Sequence, residues 1–425
     1  MSTGTLALLL FGLFALLMVM KVPVSYCLGI ASTVCLLVLG YPLTVVSQKI
    51  FNALNSFSIM AIPLFILGGN IMSEGGISKR LIEFCESLVG NIRGGLAFVV
   101  ILACAFFAAL SGSGPATVVA IGSMMYPEMV KRGYPKYQVA GLVSVAGGLG
   151  PIIPPSIIMV VYCTITQTNI ASLFSAGFVV GALLILAMCL ISGFMSKKHN
   201  WPISGDTFSV QKVWRSFRHS ILALMMPVIV LGGIYSGLFT ATEAGAVSVF
   251  YSLGVAVFVY RTLTWRDLLK IFKTSAVSCS VILFIMGTST VFSWLFTVSG
   301  ISGWIVSTVQ EAGLGYYPVL LIITVVLLIF GFFLEGIATV TMLIPLFLPI
   351  ATAVGIDALH LGMIVTMTNV MGCMTPPVAN NIFACSTFTG LPMGEISKGE
   401  LPYLGCFFVV LMVVVFCPTL VTMFA

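Results

Sequence analysis

Long apolar stretches, separated by short polar or charged segments, recur along the whole chain. Many approach the ~20 residues that a helix needs to cross a bilayer, and the short alternating segments typical of membrane strands are absent. One stretch is interrupted by SGSGPAT, Ser111–Thr117, which leaves the flanking pieces Leu96–Leu110 and Val118–Tyr126 too short to span with ease. The pattern therefore predicts an all-α polytopic membrane protein that contains interrupted helices.

The composition agrees with this class. Of 425 residues, 60% are hydrophobic and 7% are charged, with a mean hydropathy of +1.18, whereas a soluble globular domain carries about 25% charge. The net charge of +6 comes from basic residues at the ends of apolar stretches, which indicates membrane topology and not nucleic-acid binding.

Met1–Met20 lacks a basic leader and a cleavage site, so we interpret it as the first membrane helix. The eleven cysteines form no C-x-x-C pair, so we interpret them as core residues.

The basic residues give a consistent topology if their clusters face the cytoplasm. Arg93 and Lys131 then lie on the same side, although about 35 mostly apolar residues separate them. We therefore expect a re-entrant hairpin over residues 93–131, with its tip at SGSGPAT buried in protein or lining a cavity. Both chain termini are expected on the periplasmic side. Lys49 alone misfits and is expected on an interfacial helix, Thr44–Leu54. A second interfacial piece is expected around Trp265–Phe272.

The sequence contains an internal duplication with an offset of 222 residues. SGSGPATVV is matched by LEGIATVT, and GPIIPPS is matched by GCMTPPVAN, without a gap. The charge count places the second hairpin, residues 315–353, on the opposite side, so the two halves are expected to be inverted repeats. Helices are expected to unwind near Gly147–Pro155 and near Gly372–Pro377, each break meeting the hairpin tip of its own half. Inverted repeats with paired broken helices are typical of secondary transporters.

The residues at the two tips suggest ion chemistry. Ser111 and Ser113 supply hydroxyl oxygens, which suit a hard cation such as Na⁺, and helix N-termini suit a negatively charged substrate. Glu335 occupies the second tip, where Ser113 occupies the first. It is either a cation ligand or gating group, or else a structural cap, and the sequence leaves both interpretations open. Glu243 is expected to cap the helix that begins beside it.

Three classes of function compete, and a secondary carrier for an organic anion is favoured. A channel would need a polar or charged pore lining, and ring-forming charged residues are not visible. An intramembrane enzyme would need convergent catalytic groups, but there are only three histidines, and His199 and His219 lie in a basic loop. No Walker A pattern is present, so the chain is not expected to hydrolyse ATP.

Six sequence segments together resemble the large membrane subunit of tripartite ATP-independent periplasmic (TRAP) transporters, and the resemblance covers essentially the whole chain. They are SIMAIPLFILGGNIM (Ser58–Met72), GGLA (Gly94–Ala97), FFAALSGSGPATVVAIGS (Phe106–Ser123), GGLGPIIPPS (Gly147–Ser156), FLEGIATVTMLIPLFLPI and GCMTPPVANN. In length and detail the chain is similar to the sialic-acid members of the family.

This resemblance implies an elevator-type, Na⁺-driven importer of an organic acid such as sialic acid in the bacterial inner membrane. It implies two partners, a small four-helix membrane subunit and a periplasmic substrate-binding protein. The expected division is scaffold helices in residues 1–55, a first transport half in 56–196, a cytoplasmic loop with scaffold helices in 197–273, and a second transport half in 274–425. The alternative is a stand-alone carrier for dicarboxylates, similar to divalent-anion/sodium symporters.

A more distant resemblance to those symporters implies the site residues. One Na⁺ site would contain Ser111, Ser113 and Gly114 with Gly148 and Gly150, and the other Gly336, Ala338 and Thr339 with Gly372 and Thr375, Glu335 being added at the second tip. The symporters carry an asparagine at each tip, which is missing here, and Asn380 and Asn381 are its possible replacements. The expected substrate contacts are Ser113, Thr117, Pro155, Ser156, Asn380 and Asn381.

Overall fold

The computed structural model describes residues 3–203 and 208–424, and these ranges are built from α-helices. A short 3-10 turn, Phe57–Met60, precedes α4, and a π-helical turn, Gly254–Val259, follows α12. The helices are α1 Thr3–Val19, α2 Val24–Val38, α3 Thr44–Leu54, α4 Ala61–Glu74, α5 Ile77–Val89, α6 Gly95–Ser111, α7 Gly114–Lys131, α8 Lys136–Gly147, α9 Ile157–Thr166, α10 Ile170–Lys198, α11 Val210–Tyr235, α12 Ala241–Leu253, α13 Trp265–Val298, α14 Ile301–Glu311, α15 Tyr316–Phe333, α16 Gly336–Ala353, α17 Ala358–Cys373, α18 Asn380–Thr389, α19 Met393–Phe416 and α20 Thr419–Thr422.

Eight helical segments in the described ranges are long and apolar enough to cross a membrane. Two of them include the short turns that adjoin α4 and α12, and the other six are α10, α11, α13, α15, α16 and α19. Helices satisfy their own backbone hydrogen bonds, which is the condition for spanning a bilayer. The prediction of an all-α polytopic membrane protein is confirmed.

Two helical hairpins form where the sequence breaks its apolar stretches. In the first, α6 ends at Gly112 in a left-handed conformation with φ +61°, and α7 begins at Gly114 with Pro115 in its first turn. Such a φ is easily adopted only by glycine, and proline suits a first helical turn because it lacks an N–H donor. In the second hairpin, α15 and α16 are separated by Leu334 and Glu335.

Two helices are interrupted at the double-proline segments. The first is α8 with its continuation α9, and the second is α17 with its continuation α18. Their starts and ends, like those of the hairpins, fall at or near positions 222 residues apart. The continuations cross between the halves, because α9 packs against α16 of the second hairpin and α18 packs against α7 of the first. The two halves are therefore interlocked.

The helix α4 lies between α12 and the first hairpin. Gly68 faces Ser248 of α12, and its neighbour Gly69 faces the backbone of Ser111 at the first tip. One residue further on, the Asn70 amide Nδ2 donates a 2.8 Å hydrogen bond to Ser275 Oγ of α13. Three consecutive residues thus tie α4 to three different neighbours.

Two details of the helix ends bear on the sequence analysis. Glu243 caps α12 as expected, since its carboxylate accepts from the Thr240 backbone N–H while the Thr240 hydroxyl accepts from Glu243 N–H. The interfacial piece expected around Trp265–Phe272 is not a separate helix, because these residues begin the single 34-residue helix α13. Basic residues in its first turns indicated an interface, but nothing there interrupts the helical hydrogen bonds.

A very close contact between the two halves is that of α8 with α19, where Gly141 lies against the backbone of Gly399 and Glu400. We predict that Gly141→Ala lowers the unfolding midpoint, because the new methyl group has no space; overpacking typically costs about 1–3 kcal/mol. Thermal unfolding of the purified chain in lipid nanodiscs measures this.

The matched control is Gly232→Ala in α11, an exposed helical position with nothing within 4 Å of the added carbon. It is expected to leave the midpoint unchanged or to raise it, because alanine favours a helix over glycine by up to about 1 kcal/mol. Equal midpoints for the two variants would contradict the close α8–α19 contact.

Candidate functional site

The first hairpin tip is held together by its own hydroxyl groups. The Thr117 hydroxyl donates to the Ser113 carbonyl at 2.8 Å, and Ser111 Oγ lies 3.0 Å from Thr117 Oγ1. Ser111 and Thr117 are buried, whereas Ser113 is partly exposed. The hydroxyl groups therefore fix the turn, and Ser113 presents its side chain to the surroundings.

The first tip and the first break contact each other through bare backbone. A side chain on Gly150 would place its Cβ 2.5 Å from the Ser113 carbonyl oxygen, and one on Gly112 would place it 2.5 Å from the Pro155 carbonyl oxygen. Ser156 caps α9 by accepting from Met159 N–H. As expected from the sequence, the break meets the hairpin tip of its own half.

The second tip has the same arrangement with different residues. Val378 N–H, just after the second break, donates to the Phe332 carbonyl at 3.2 Å, and Gly372 lies against Gly331. The buried Thr339 hydroxyl donates to the Glu335 carbonyl at 3.2 Å. The Glu335 carboxylate makes no capping hydrogen bond, so the interpretation of Glu335 as a structural cap is wrong.

A buried asparagine accompanies each tip glycine. Asn381 donates from Nδ2 to the Ser144 carbonyl at 3.1 Å, and its Oδ1 points at Gly114. Asn369 donates to the Val365 carbonyl at 2.9 Å and lies beside Gly336. Both Oδ1 atoms are buried without a hydrogen-bond partner. Sequence analysis missed Asn369, although an amide in the otherwise apolar segment of α17 was a visible signal.

A cavity of about 420 Å³ lies between the two tips and the helices α4 and α13. Three helix N-termini reach it, since Ser113, Glu335 and Ile157 stand at the starts of α7, α16 and α9. Its lining is Ile66, Gly69, Asn70, Ser73, Phe107, Ser111, Ser113, Ala116, Ile157, Val277, Ser278, Val281, Ile282 and Glu335. Among the residues that the structure describes, Glu335 is thus the one charged member of the lining.

The structure brings three of the expected site residues, Ser111, Ser113 and Glu335, to this cavity. Of the others, Thr375 and Asn380 are partly exposed, Gly114, Thr117, Gly148, Gly150, Pro155, Ser156, Gly336, Ala338, Thr339, Gly372 and Asn381 are buried, and none belongs to the cavity lining. Sequence analysis missed the polar residues of the opposite wall, Asn70, Ser73 and Ser278, because their helices showed no break.

Long apolar helices, two hairpins and two broken helices around a shared polar cavity define a membrane transport protein. The sequence pattern of the family described as "Tripartite ATP-independent periplasmic transporter, DctM component" matches residues 11–420. The chain belongs to this family and is a TRAP transporter large permease. This membership confirms the resemblance found in the sequence and indicates a transporter and not an enzyme.

Named relatives agree with this family. The C4-dicarboxylate TRAP transporter large permease protein DctM of Pseudomonas aeruginosa is 42% identical over 370 residues, covering 87% of this chain and 86% of the relative. The sialic acid TRAP transporter large permease protein SiaM of Vibrio cholerae is 33% identical, covering 88% and 87%. In fold, the chain is similar to the crystal structure of the Alcanivorax borkumensis YdaH transporter, with a TM-score of 0.65, 12% identity and 88% of each chain covered.

We predict that Gly150→Ala lowers substrate uptake by at least about tenfold while the protein still folds. The added carbon would lie 2.5 Å from the Ser113 carbonyl oxygen and 3.0 Å from Gly114 N, so the first tip must move. Misplacing a functional group by about 1 Å can cost roughly a hundredfold in rate. Uptake by reconstituted protein measures the effect.

The control is Gly405→Ala in α19, at an exposed position with nothing within 4 Å. It should transport at the rate of the unmodified chain. Unchanged uptake by Gly150→Ala would show that the tip tolerates displacement from the first break.

Proposed function

We propose that this chain is the large permease subunit of a Na⁺-driven importer of organic acids such as sialic acid. The nature of the cargo is supported by the relatives, whose names include C4-dicarboxylate and sialic acid. The stand-alone dicarboxylate symporter is not favoured, because the chain belongs to the TRAP family.

The coupling to Na⁺ is proposed because of the charges that line the cavity. The lining contains the carboxylate of Glu335 and no lysine or arginine. A carboxylate substrate would therefore meet an acidic group without a basic partner, and two like charges at close range repel each other. Cations bound beside the substrate supply the missing positive charge, which couples uptake of the anion to uptake of Na⁺.

The residues around each tip fit a Na⁺ ion. Ser111, Ser113 and Gly114 with Gly148 and Gly150 would hold one ion, and Gly336, Ala338 and Thr339 with Gly372, Thr375 and Glu335 the other. A hard cation needs oxygen ligands, and carbonyl oxygens are free where the helices break. The buried Oδ1 atoms of Asn381 and Asn369 lack partners beside the two tip glycines. Unpaired buried oxygens are costly unless an ion, water or ligand occupies them.

The substrate carboxylate would be bound by the helix N-termini at the cavity. The first backbone N–H groups of a helix have no intrahelical acceptor, and the helix dipole favours negative charge there. The N-terminal residues of α7, α9 and α16 line or adjoin the cavity from both halves. Of the expected substrate contacts, Ser113 lines the cavity, and Asn381 lies against Gly114 of the first tip.

The proposal includes the assembly and the motion expected of the family. The partners are a small membrane subunit with four helices and a periplasmic binding protein that delivers the acid, all in or at the bacterial inner membrane. The hairpins and broken helices would move as an elevator against scaffold helices that include α1, α2, α11 and α12. Both termini would be periplasmic.

Uptake by the reconstituted chain, with its small subunit and binding protein, tests the proposal. We predict Na⁺-dependent accumulation of one acid from a panel of sialic acid, C4-dicarboxylates and other carboxylates. Omitting the binding protein should abolish uptake of free substrate. Full-rate uptake by the chain alone would overturn the assembly, and uptake unaffected by replacing Na⁺ with K⁺ would overturn the coupling.

Combining Ser113→Ala with Thr339→Ala should raise the Na⁺ concentration for half-maximal uptake by roughly ten- to a hundredfold. Each change removes one hydroxyl oxygen from a proposed ion site. Removing one hydrogen-bond partner or ligand of a buried polar site costs about 1–3 kcal/mol, which is roughly ten- to a hundredfold in affinity. Expression and thermal stability should change little, because backbone carbonyls and helix packing remain.

The matched control pairs Ser307→Ala with Thr352→Ala, since both hydroxyls are exposed and bond only to carbonyls of their own helices. Its Na⁺ dependence should equal that of the unmodified chain. An unaltered Na⁺ dependence in the tip variant would assign Ser113 and Thr339 to packing.

A further inference from the structure

A second acidic residue, Glu400, lies inside the helix bundle and away from the cavity. It is in α19, two turns from the helix start, and only 1% of its surface is exposed. At this position α19 touches α8 so closely that Gly141 has no room for a side chain. Glu400 is therefore enclosed between two helices that are packed backbone to backbone.

The Glu400 carboxyl faces the Ser144 hydroxyl of α8. Ser144 is fully buried, and apart from this contact neither its Oγ atom nor Glu400 Oε1 has a hydrogen-bond partner in the described ranges. None of the ion pairs formed by residues 3–203 and 208–424 includes Glu400. An ionised carboxylate in such a place would have no counter-ion and only the Ser144 hydroxyl as a donor, which is strongly unfavourable.

The other titratable groups around α19 do not supply a counter-ion for Glu400. The titratable groups on α19 and the helices packed against it are Lys136 and Tyr137 of α8, Cys189, Lys197 and Lys198 of α10, Tyr316 and Tyr317 of α15, His360 and Cys373 of α17, Cys385 of α18, and Glu395, Lys398, Tyr403 and Cys406 of α19.

The lysines and Glu395 in this set are exposed. The Tyr403 hydroxyl is paired with Ser192 Oγ at 3.1 Å, and the His360 ring is bound to the Val414 carbonyl, far along α19. The thiol of Cys385 contacts the Ala140 carbonyl. A proton on Glu400 itself is therefore the species that neutralises the site.

We propose that the buried contact between Glu400 and Ser144 is a proton-binding site, in which a proton on the Glu400 carboxyl holds α8 against α19. The protonated carboxyl is neutral and gains a donor for the Ser144 hydroxyl oxygen. Release of the proton to water leaves a bare carboxylate between the two helices, which must then separate to admit water.

The position of this site links it to the first hairpin tip. Ser144 is one turn before the first break, and its carbonyl accepts from Asn381, whose Oδ1 lies at Gly114. Separating α8 from α19 therefore disturbs the support of the tip. The site goes beyond the proposed Na⁺ coupling, because it uses none of the residues assigned to Na⁺.

Infrared difference spectroscopy of the purified full chain in lipid nanodiscs tests the proposal. A C=O stretching band of a protonated carboxyl should be present near neutral pH and lost at alkaline pH. Each pH unit above the midpoint should lower its intensity about tenfold. The band should be missing in Glu400→Gln, which keeps the shape of the protonated acid, and retained in Glu395→Gln, an exposed acid on the same helix.

Thermal unfolding gives a second, independent measurement. The unfolded chain releases this proton near the ordinary glutamate pKa of about 4.3, whereas the folded chain keeps it up to the infrared midpoint, so stability must fall as pH rises between the two. The unfolding midpoint of the unmodified chain and of Glu395→Gln should fall there, and that of Glu400→Gln should not. Neither measurement needs substrate or Na⁺, so failure of the proposed transport function is a separate result.

Ser144→Ala keeps the proposal testable should Glu400→Gln not fold. This variant removes the hydroxyl that faces the carboxyl, so the band should remain but shift in frequency. A band independent of Glu400, a band unshifted in Ser144→Ala, or a band removed by Na⁺ at constant pH would each overturn the proposal. The last result would assign the site to Na⁺.

Discussion

The whole arrangement depends on one constraint, which is that backbone leaving helical geometry inside a membrane must be covered by other protein. This chain breaks its helices in four places and covers each break with another. The first tip and the first break meet through Gly112, Gly150 and the carbonyls of Ser113 and Pro155. Because the contact is made by backbone, a side chain added at either glycine would disrupt it. The polar groups needed for ion binding are thus gathered at a point that packing already requires.

The same covering of breaks explains why the cavity is shared by both halves. The continuation α9 leaves the first break and packs on α16, while α18 leaves the second break and packs on α7. Each tip is therefore supported from its own half by a break and from the other half by a helix. Helix N-termini from both halves consequently meet around one space, and their dipoles add to a positive potential there. Within residues 3–203 and 208–424, Glu335 is the single charged side chain that lines that space.

Much of this fold could be predicted because its signals are local. Glycine and proline ended the helices where the sequence indicated, and α3 has the predicted bounds Thr44–Leu54. What could not be predicted depends on which helices pack together. Asn70, Asn369 and Glu400 are isolated polar residues in apolar segments, and only tertiary packing decides whether such a residue lines a cavity, faces a tip or is enclosed. The continuity of α13 was missed because charge indicates an interface but does not interrupt helical hydrogen bonding.

The adjacent glycines of α4 have a mechanical consequence. Gly68 presents bare backbone to α12, and Gly69 presents bare backbone to the first tip, on another face of the same helix. Side chains of Ser248 and Leu64 interdigitate at the contact with α12, whereas Gly69 meets only backbone, so the contact with the tip offers less resistance to sliding. The hydrogen bond of Asn70 to Ser275 joins α4 to α13, so movement between these two helices would have to break it. Movement of the tip along Gly69 would leave it intact.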